Sequence, residues 1–310
     1  RRQAPLSAPP RASGVAFALV GVIAFSFRPI LIKLAYAAHP VDPVTLLFLR
    51  MVLALPFFLA MAWWLRGAAP RLTARDWAGV AGLGFIGYYM ASFLDFLGLV
   101  HVGAGVGRLI QFLYPTLVLL LSFVFLHKRP TRREIGALAM CYLGIALVVS
   151  NQLDATPQGK AFLFGALLIL AAALCYAIYL VAGGQLVQRI GSMRFTAYTM
   201  VIATAPAVVQ FFALEPLDAL VLPRAVWGYA IVMATFSTVL PVFLVAEALR
   251  RIGANQFALI GAVGPVSVAI TSALGLDEPF SWLQALGGGL VIGGVLLVSL
   301  RPSAGRAPAR

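Results

Sequence analysis

Arg28, Arg50, Asp95 and Arg108 each lie inside a long apolar run, where water is scarce. An ionised group in hydrocarbon is costly, and it is kept facing a partner, a cavity or the interior of a helix bundle. Arginine keeps its proton at ordinary pH, so these side chains hold and orient anions and do not relay protons. Three guanidiniums against one carboxylate leave net positive charge in a region of low dielectric, which draws a carboxylate from outside. Two plainer roles stand beside that one. Asp95 pairs with an arginine so that the helices insert, and Arg108 lays its stem along the membrane and snorkels to the outer interface.

Helical spacing groups further candidates around these four. Arg108, Gln111, Phe112 and Pro115 recur at i, i+3, i+4 and i+7, which puts them on one helical face. Pro115 frees a backbone carbonyl, so it and the matching Pro265 are the candidate hinges. Tyr88, Ser92 and Asp95 form a second line at i, i+4 and i+7, and Tyr176 and Tyr179 add aromatic surface. Together they suggest an apolar pocket with a few polar anchors, the usual form of a small-ligand site. Glu247 precedes Arg250 and Arg251 at i+3 and i+4, the spacing of a helix-end ion pair. It is also a candidate proton-coupling carboxylate, as is Asp95. Lys33 reads as a snorkelling residue.

The elements that must position these residues are membrane helices. The chain has 310 residues, 62% hydrophobic and only 11% charged, against about a quarter charged in soluble domains. A span of about 20 apolar residues crosses the hydrocarbon core. Breaking the apolar windows at Pro, Gly and charge gives ten candidates: 14–36, 43–65, 76–100, 103–126, 133–150, 160–183, 194–214, 224–249, 253–274 and 280–300. With ten spans, 17 of the 23 Lys and Arg residues fall on the face that carries both termini and 2 on the other. The positive-inside rule makes the first face cytoplasmic. At 1.5 Å per residue Arg28 then lies roughly 21 Å in from that face, and all four ionisable groups converge on the outer half of the bilayer.

The basic balance therefore serves topology, and the net charge of +13 gives no reason to expect a nucleic-acid partner. Cys141 and Cys175 sit in apolar runs and are too few for a disulfide framework or a metal site. No metal or other cofactor is expected. An enzyme is not expected either: three histidines, no His-Cys cluster, no phosphate loop and no serine nucleophile elbow are present. Residues 1–13 are expected to form a cytoplasmic tail and not a cleavable signal. Residues 14–150 and 160–300 form two five-helix halves, and 301–310 a second tail.

The halves repeat. A shift of 150 residues without a gap sets Trp77 on Trp227, Phe93 on Phe243, Gly103-Ala104 on Gly253-Ala254, Pro115 on Pro265 and Gly144 on Gly294. The shift covers five spans, an odd number, so the second copy enters the membrane from the opposite side. Such inverted repeats build a site near the bilayer middle and open it alternately to each side. The second copy has Ala258, Gly261, Ala262 and Pro265 where the first has Arg108, Gln111, Phe112 and Pro115. A common scaffold with chemistry on one half follows.

Two five-helix halves, Gly253-Ala254 followed by Leu259 and Pro265, the acidic Asp277-Glu278-Pro279 at a helix end and a Gly-rich last span resemble the EamA family of the drug/metabolite transporter superfamily. The likeness runs from about Gly14 to Leu300. It departs at His127-Lys128, where the family usually has an acidic pair. A looser similarity is to aromatic amino acid exporters of the YddG type. The resemblance implies an all-α, ten-helix protein of the bacterial inner membrane, among lipids, acting on a small-molecule substrate; ten spans already complete an inverted pair, so a functional monomer is expected. The expected function is export of small metabolites, amino acids foremost and aromatic ones among them, by alternating access. Arg28 and Arg108 would attract the carboxylate, and Asp95 would hold the arginines in place. The alternatives are a multidrug or nucleoside exporter with a permissive pocket, and a membrane protein that transports nothing.

Overall fold

The computed structural model describes residues 11–65, 72–114, 159–261 and 282–299, with short stretches between 116 and 147. Every regular element among the described residues is helical. Six helical stretches are long and apolar enough to cross a membrane: Ser13–Ala38, Pro43–Leu65, Ala74–His101, Gly159–Gly184, Ser192–Leu214 and Arg224–Ile252. Their outward faces carry large apolar side chains such as Trp64, Leu214 and Phe212. Lipid covers such surfaces, so a membrane helix need not be polar on its outer side.

The first span is α1 (Arg11–Ser26) and α2 (Arg28–Ala38), broken at Phe27. Pro29 causes the break: it has no N–H to return, and its ring crowds the carbonyl one turn earlier. α3 (Pro43–Leu65) follows. The third span is α4 (Ala74–Gly84), a π-helical turn (Phe85–Met90) and α5 (Ala91–His101). Thr73 and Asp76 form a reciprocal cap on α4, and Arg189 reaches both from the far end of α7 (Gly159–Ile190). α6 (Ala104–Gln111) comes between α5 and that helix.

The second half repeats the first at 150 residues in its breaks as well as its residues. α8 (Ser192–Leu214) answers α3, and the two carry Pro206 and Pro56 at the same register. α9 (Arg224–Ala234) answers α4, and a second π-helical turn, Thr235–Val239, begins 150 residues after the first. α10 (Leu240–Gly261) then answers α5. The packing exchanges partners between halves: α1 lies along α10, and α7 lies along α5. α3 and α8 pack on each other, with the Phe48 and Phe211 rings stacked at 4.2 Å. A pseudo-two-fold relation between the halves produces this exchange.

One expectation changes. A turn between 249 and 253 is absent, because α10 runs through Arg250 and Gly253 to Gly261; a lone glycine costs a helix only about 1 kcal/mol. α11 (Trp282–Ser299) packs against the described part of the candidate span 133–150. A Cβ on Gly293 would meet Met140, and one on Gly144 would clash with the Gly287 carbonyl oxygen. Close approach of backbones through small residues is how membrane helices gain dispersion contact without a hydrophobic driving force.

Candidate functional site

The break ahead of Pro29 places Arg28 at the first residue of α2, turned toward α5. Its Nη2 donates to Asp95 Oδ2 at 2.8 Å, and the ion pair is largely buried, with 12% and 3% of the two side chains exposed. One turn back on α5, Ser92 Oγ accepts from Arg50 Nη2 at 2.8 Å. Arg50 also donates to the Met51 sulfur at 3.7 Å and lies over the Phe96 ring at 5.2 Å. Tyr36 fixes the same stretch of α5 by donating to the Phe96 carbonyl at 3.0 Å.

Arg108 stands on α6. Its Nη1 donates to Gln111 Oε1 at 2.9 Å, the i, i+3 contact that the spacing suggests. The face stops there, however. The helix ends at Gln111, and Phe112 and Leu113 form a turn. A proline four positions after Gln111 returns no N–H to that carbonyl, which accounts for the break. Phe112 is buried and packs edge-on against Tyr114 at 5.8 Å. Pro115 and Pro265, the candidate hinges, lie outside the described residues.

The tyrosines form a chain of rings. Tyr114 meets Tyr176 edge-on at 5.2 Å, Tyr176 stacks on Tyr179 at 6.0 Å, and Tyr179 meets Tyr88 at 4.9 Å. The Tyr88 and Tyr179 hydroxyls are 3.1 Å apart. Gly87 in the π-helical turn makes room for this contact, since a Cβ there would come within 2.5 Å of Tyr179. A cleft of about 560 Å³ between α4 and α7 runs inward from Arg75 and Arg189 past Gly79 and Gly82 to Leu83 and Ile86. Its inner end is about one helical turn from the Tyr88–Tyr179 contact.

Arg50 and Arg108 both lie within electrostatic reach of Arg28 and Asp95. The Nε atoms of Arg28, Arg50 and Arg108 are buried with no hydrogen-bond partner among the described residues. All four charged groups belong to the first half. At their repeat positions stand Ile178, Met200, Val245 and Ala258. Arg50 is the residue that spacing alone passes over: it shares no periodic line with the others, and only its place inside an apolar run signals it. Tyr36 and Tyr114 give even less signal, because aromatic residues are common throughout the chain.

Glu247 lies apart from this cluster. It accepts from Arg250 Nε at 2.9 Å, Arg251 Nε at 2.7 Å and Ser192 Oγ at 3.4 Å. Arg251 in turn donates to Ser13 at 2.7 Å and covers the Phe17 ring, so the set ties α1, α8 and α10 together. Outside the spans, Asp42 caps α3 by accepting from Val44 N–H at 2.7 Å. Burial, and then the charge and hydrogen bond of Asp42, push the Glu215 carboxyl above the usual carboxylate range. Among the described residues no group of three or more His, Cys, Asp or Glu could hold a metal ion.

Apolar helices in two repeated sets, with Arg28, Arg50, Asp95 and Arg108 gathered among those of the first half, define a multi-pass membrane protein. Comparison with known proteins names the family. The model of the EamA-like transporter family matches residues 12–150 and again 163–300, and the chain belongs to that family, within the drug/metabolite transporter superfamily. It is 31% identical to the uncharacterized transporter YcbK of Bacillus subtilis (strain 168), over 93% of this chain and 91% of that one. It is 28% identical to the threonine/homoserine exporter RhtA of Escherichia coli (strain K12), over 65% of this chain and 64% of that one. A solved crystal structure superimposes with a TM-score of 0.66 at 19% identity, covering 94% of this chain and 98% of the other, which shows a shared fold. The family and the apolar helices make this a multi-pass protein of the kind found in the bacterial inner membrane, with a small molecule as substrate.

Proposed function

We propose that the chain exports small carboxylate-bearing metabolites, amino acids foremost, by alternating access between its two halves. The observation that carries this is the set of buried Asp95 and half-buried Arg28 and Arg108 beside Tyr88, Tyr176 and Tyr179. An incoming carboxylate takes guanidinium hydrogen bonds from Arg108 and Arg28, while Asp95 holds Arg28 in place and receives the substrate ammonium. Charge-assisted bonds of this kind are about twice as strong as neutral ones. The rings accept the rest of the molecule. Likeness to a threonine/homoserine exporter supports the amino acid class.

Residues 14–150 and 160–300 act as the two inverted halves, with both tails cytoplasmic and one chain sufficient. The cleft between α4 and α7 then opens toward the cytoplasm, and the Tyr88–Tyr179 contact closes it from the charged site. Asp95 and Glu247 are the carboxylates available for proton coupling. The permissive multidrug or nucleoside reading draws on the same tyrosine chain, because stacked rings also take flat uncharged ligands.

Efflux from proteoliposomes loaded with labelled Phe, Thr and an uncharged purine separates these readings. Amino acid flux that Arg28→Ala and Arg108→Ala each reduce at least tenfold, at normal expression, supports the carboxylate site. Purine flux alone, or full amino acid flux in both variants, overturns it.

A further inference from the structure

Binding a single carboxylate leaves one buried charge unused. Arg50 is only 2% exposed, and its neighbours are the Ser92 hydroxyl, the Met51 sulfur and the Phe96 ring, none of them an anion. Its Nε has no hydrogen-bond partner among the described residues. Arg108 is half-buried and also faces no anion: Gln111 is a neutral partner, and the Arg108 Nε is buried with no hydrogen-bond partner among the described residues. Arg28 and Asp95 neutralise each other and are the common electrostatic neighbours of both. These four groups therefore hold two more positive charges than negative ones.

Burying an unpaired charge is strongly unfavourable, and a partner of opposite sign relieves it. A zwitterion cannot do so in full, because its ammonium restores the charge that its carboxylate cancels. A dicarboxylate can, and an acidic amino acid, with two carboxylates against one ammonium, cancels one of the two charges where a zwitterion cancels none. Ser92 and Asp95 are one helical turn apart, so the guanidiniums bound to them are anchored about 5–6 Å apart along α5. A four- or five-carbon chain with an acid at each end has a similar reach.

We propose that the preferred substrate carries two acidic groups, as an acidic amino acid or a short dicarboxylate does, with one acid at Arg108 and Arg28 and the second at Arg50 beside Ser92. This rests on reading the site as a carboxylate site. Arg50 then sets specificity: it distinguishes a side-chain carboxylate from its amide. Glutamate and glutamine differ in little else, which makes them the probes.

The experiment is competition for efflux or counterflow in proteoliposomes, with unlabelled glutamate, glutamine, glutarate, Phe and Thr against labelled glutamate and labelled Thr. In the unaltered protein glutamate is expected to compete at least tenfold better than glutamine, with glutarate close to glutamate. Arg50→Gln is expected to bring the glutamate-to-glutamine ratio within about threefold, and Arg50→Lys to retain most of it. The comparison in the unaltered protein needs no variant, so it decides even if Arg50→Gln does not fold. Thr or Phe competing as well as glutamate, or glutamine equalling glutamate, overturns this inference and leaves the carboxylate site standing. An unchanged ratio in well-folded Arg50→Gln protein overturns the role of Arg50. Absence of flux or competition by every amino acid overturns both.

Discussion

The Tyr88 and Tyr179 hydroxyls meet at 3.1 Å across the interface of two helices that the chain places 91 residues apart. Gly87 permits the contact, and the π-helical turn that contains it aims Tyr88 at its partner. π-Helical turns often mark functional sites because they shift the side chains that follow by one position. A turn of the same kind recurs 150 residues later without a tyrosine: Thr238 stands where Tyr88 would be. The backbone device belongs to both halves, and the aromatic contact to one.

Gly87→Ala should therefore disturb the site from behind. The new methyl would overlap the Tyr179 Cβ and ring, and overpacking of this kind costs about 1–3 kcal/mol. A fall of several degrees in the detergent melting temperature is expected, with impaired transport. Gly82→Ala, where a Cβ meets nothing within 4 Å, is the control and should melt close to the unaltered protein. Equal melting of the two variants would contradict the packing described.

Removing Arg28 leaves Asp95 buried and unpaired. Breaking a buried pair from one side costs about 3–5 kcal/mol, so Arg28→Ala should melt well below the unaltered protein. Arg28→Ala with Asp95→Ala removes both charges and should recover much of that loss, while transport stays low. A double variant no more stable than the single one would show that the pair does not hold the helices together.

The two carboxylates proposed for coupling can be separated. Glu247 is held by two guanidiniums and a hydroxyl, whereas Asp95 has one guanidinium and stands at the substrate site. Glu247→Gln is expected to lower stability and leave any response to a proton gradient intact. Asp95→Asn is expected to remove that response. Flux measured with and without an imposed gradient in each variant checks the assignment, and the opposite pattern would move the coupling role to Glu247.

Glu215 gives a pH dependence of definite sign. Its carboxyl is raised in the folded protein by burial and by Asp42, so the folded state binds that proton more tightly than the unfolded chain does. Its contribution to stability is greatest at or below the ordinary glutamate range and is lost as pH rises through the raised value. The melting temperature should rise as pH falls from neutral toward the ordinary glutamate range, and Glu215→Gln should flatten that slope. An identical slope in the variant would assign the effect to other groups.

Much of this protein is written along the chain itself. Apolar length marks the spans, and the matched Trp77 and Trp227 mark the repeat. Arg28, Arg50, Asp95 and Arg108 stand out because a charge inside an apolar run is rare and costly wherever the run folds. Those signals are local, so they survive without coordinates. The extent of α10 through Gly253 was less legible, because a single glycine costs a helix only about 1 kcal/mol, which neighbouring contacts can outweigh.

Which arginine pairs with Asp95 was not in the sequence, since three carry the same charge and two other pairings were equally open. The break at Phe27 and the packing of α2 against α5 choose Arg28, 67 residues away. The same packing gives Arg50 a serine in place of a carboxylate and draws Tyr179 onto Tyr88. Periodicity fixes which residues share a face of one helix, whereas contacts between helices depend on where each is broken and how closely glycine lets it approach.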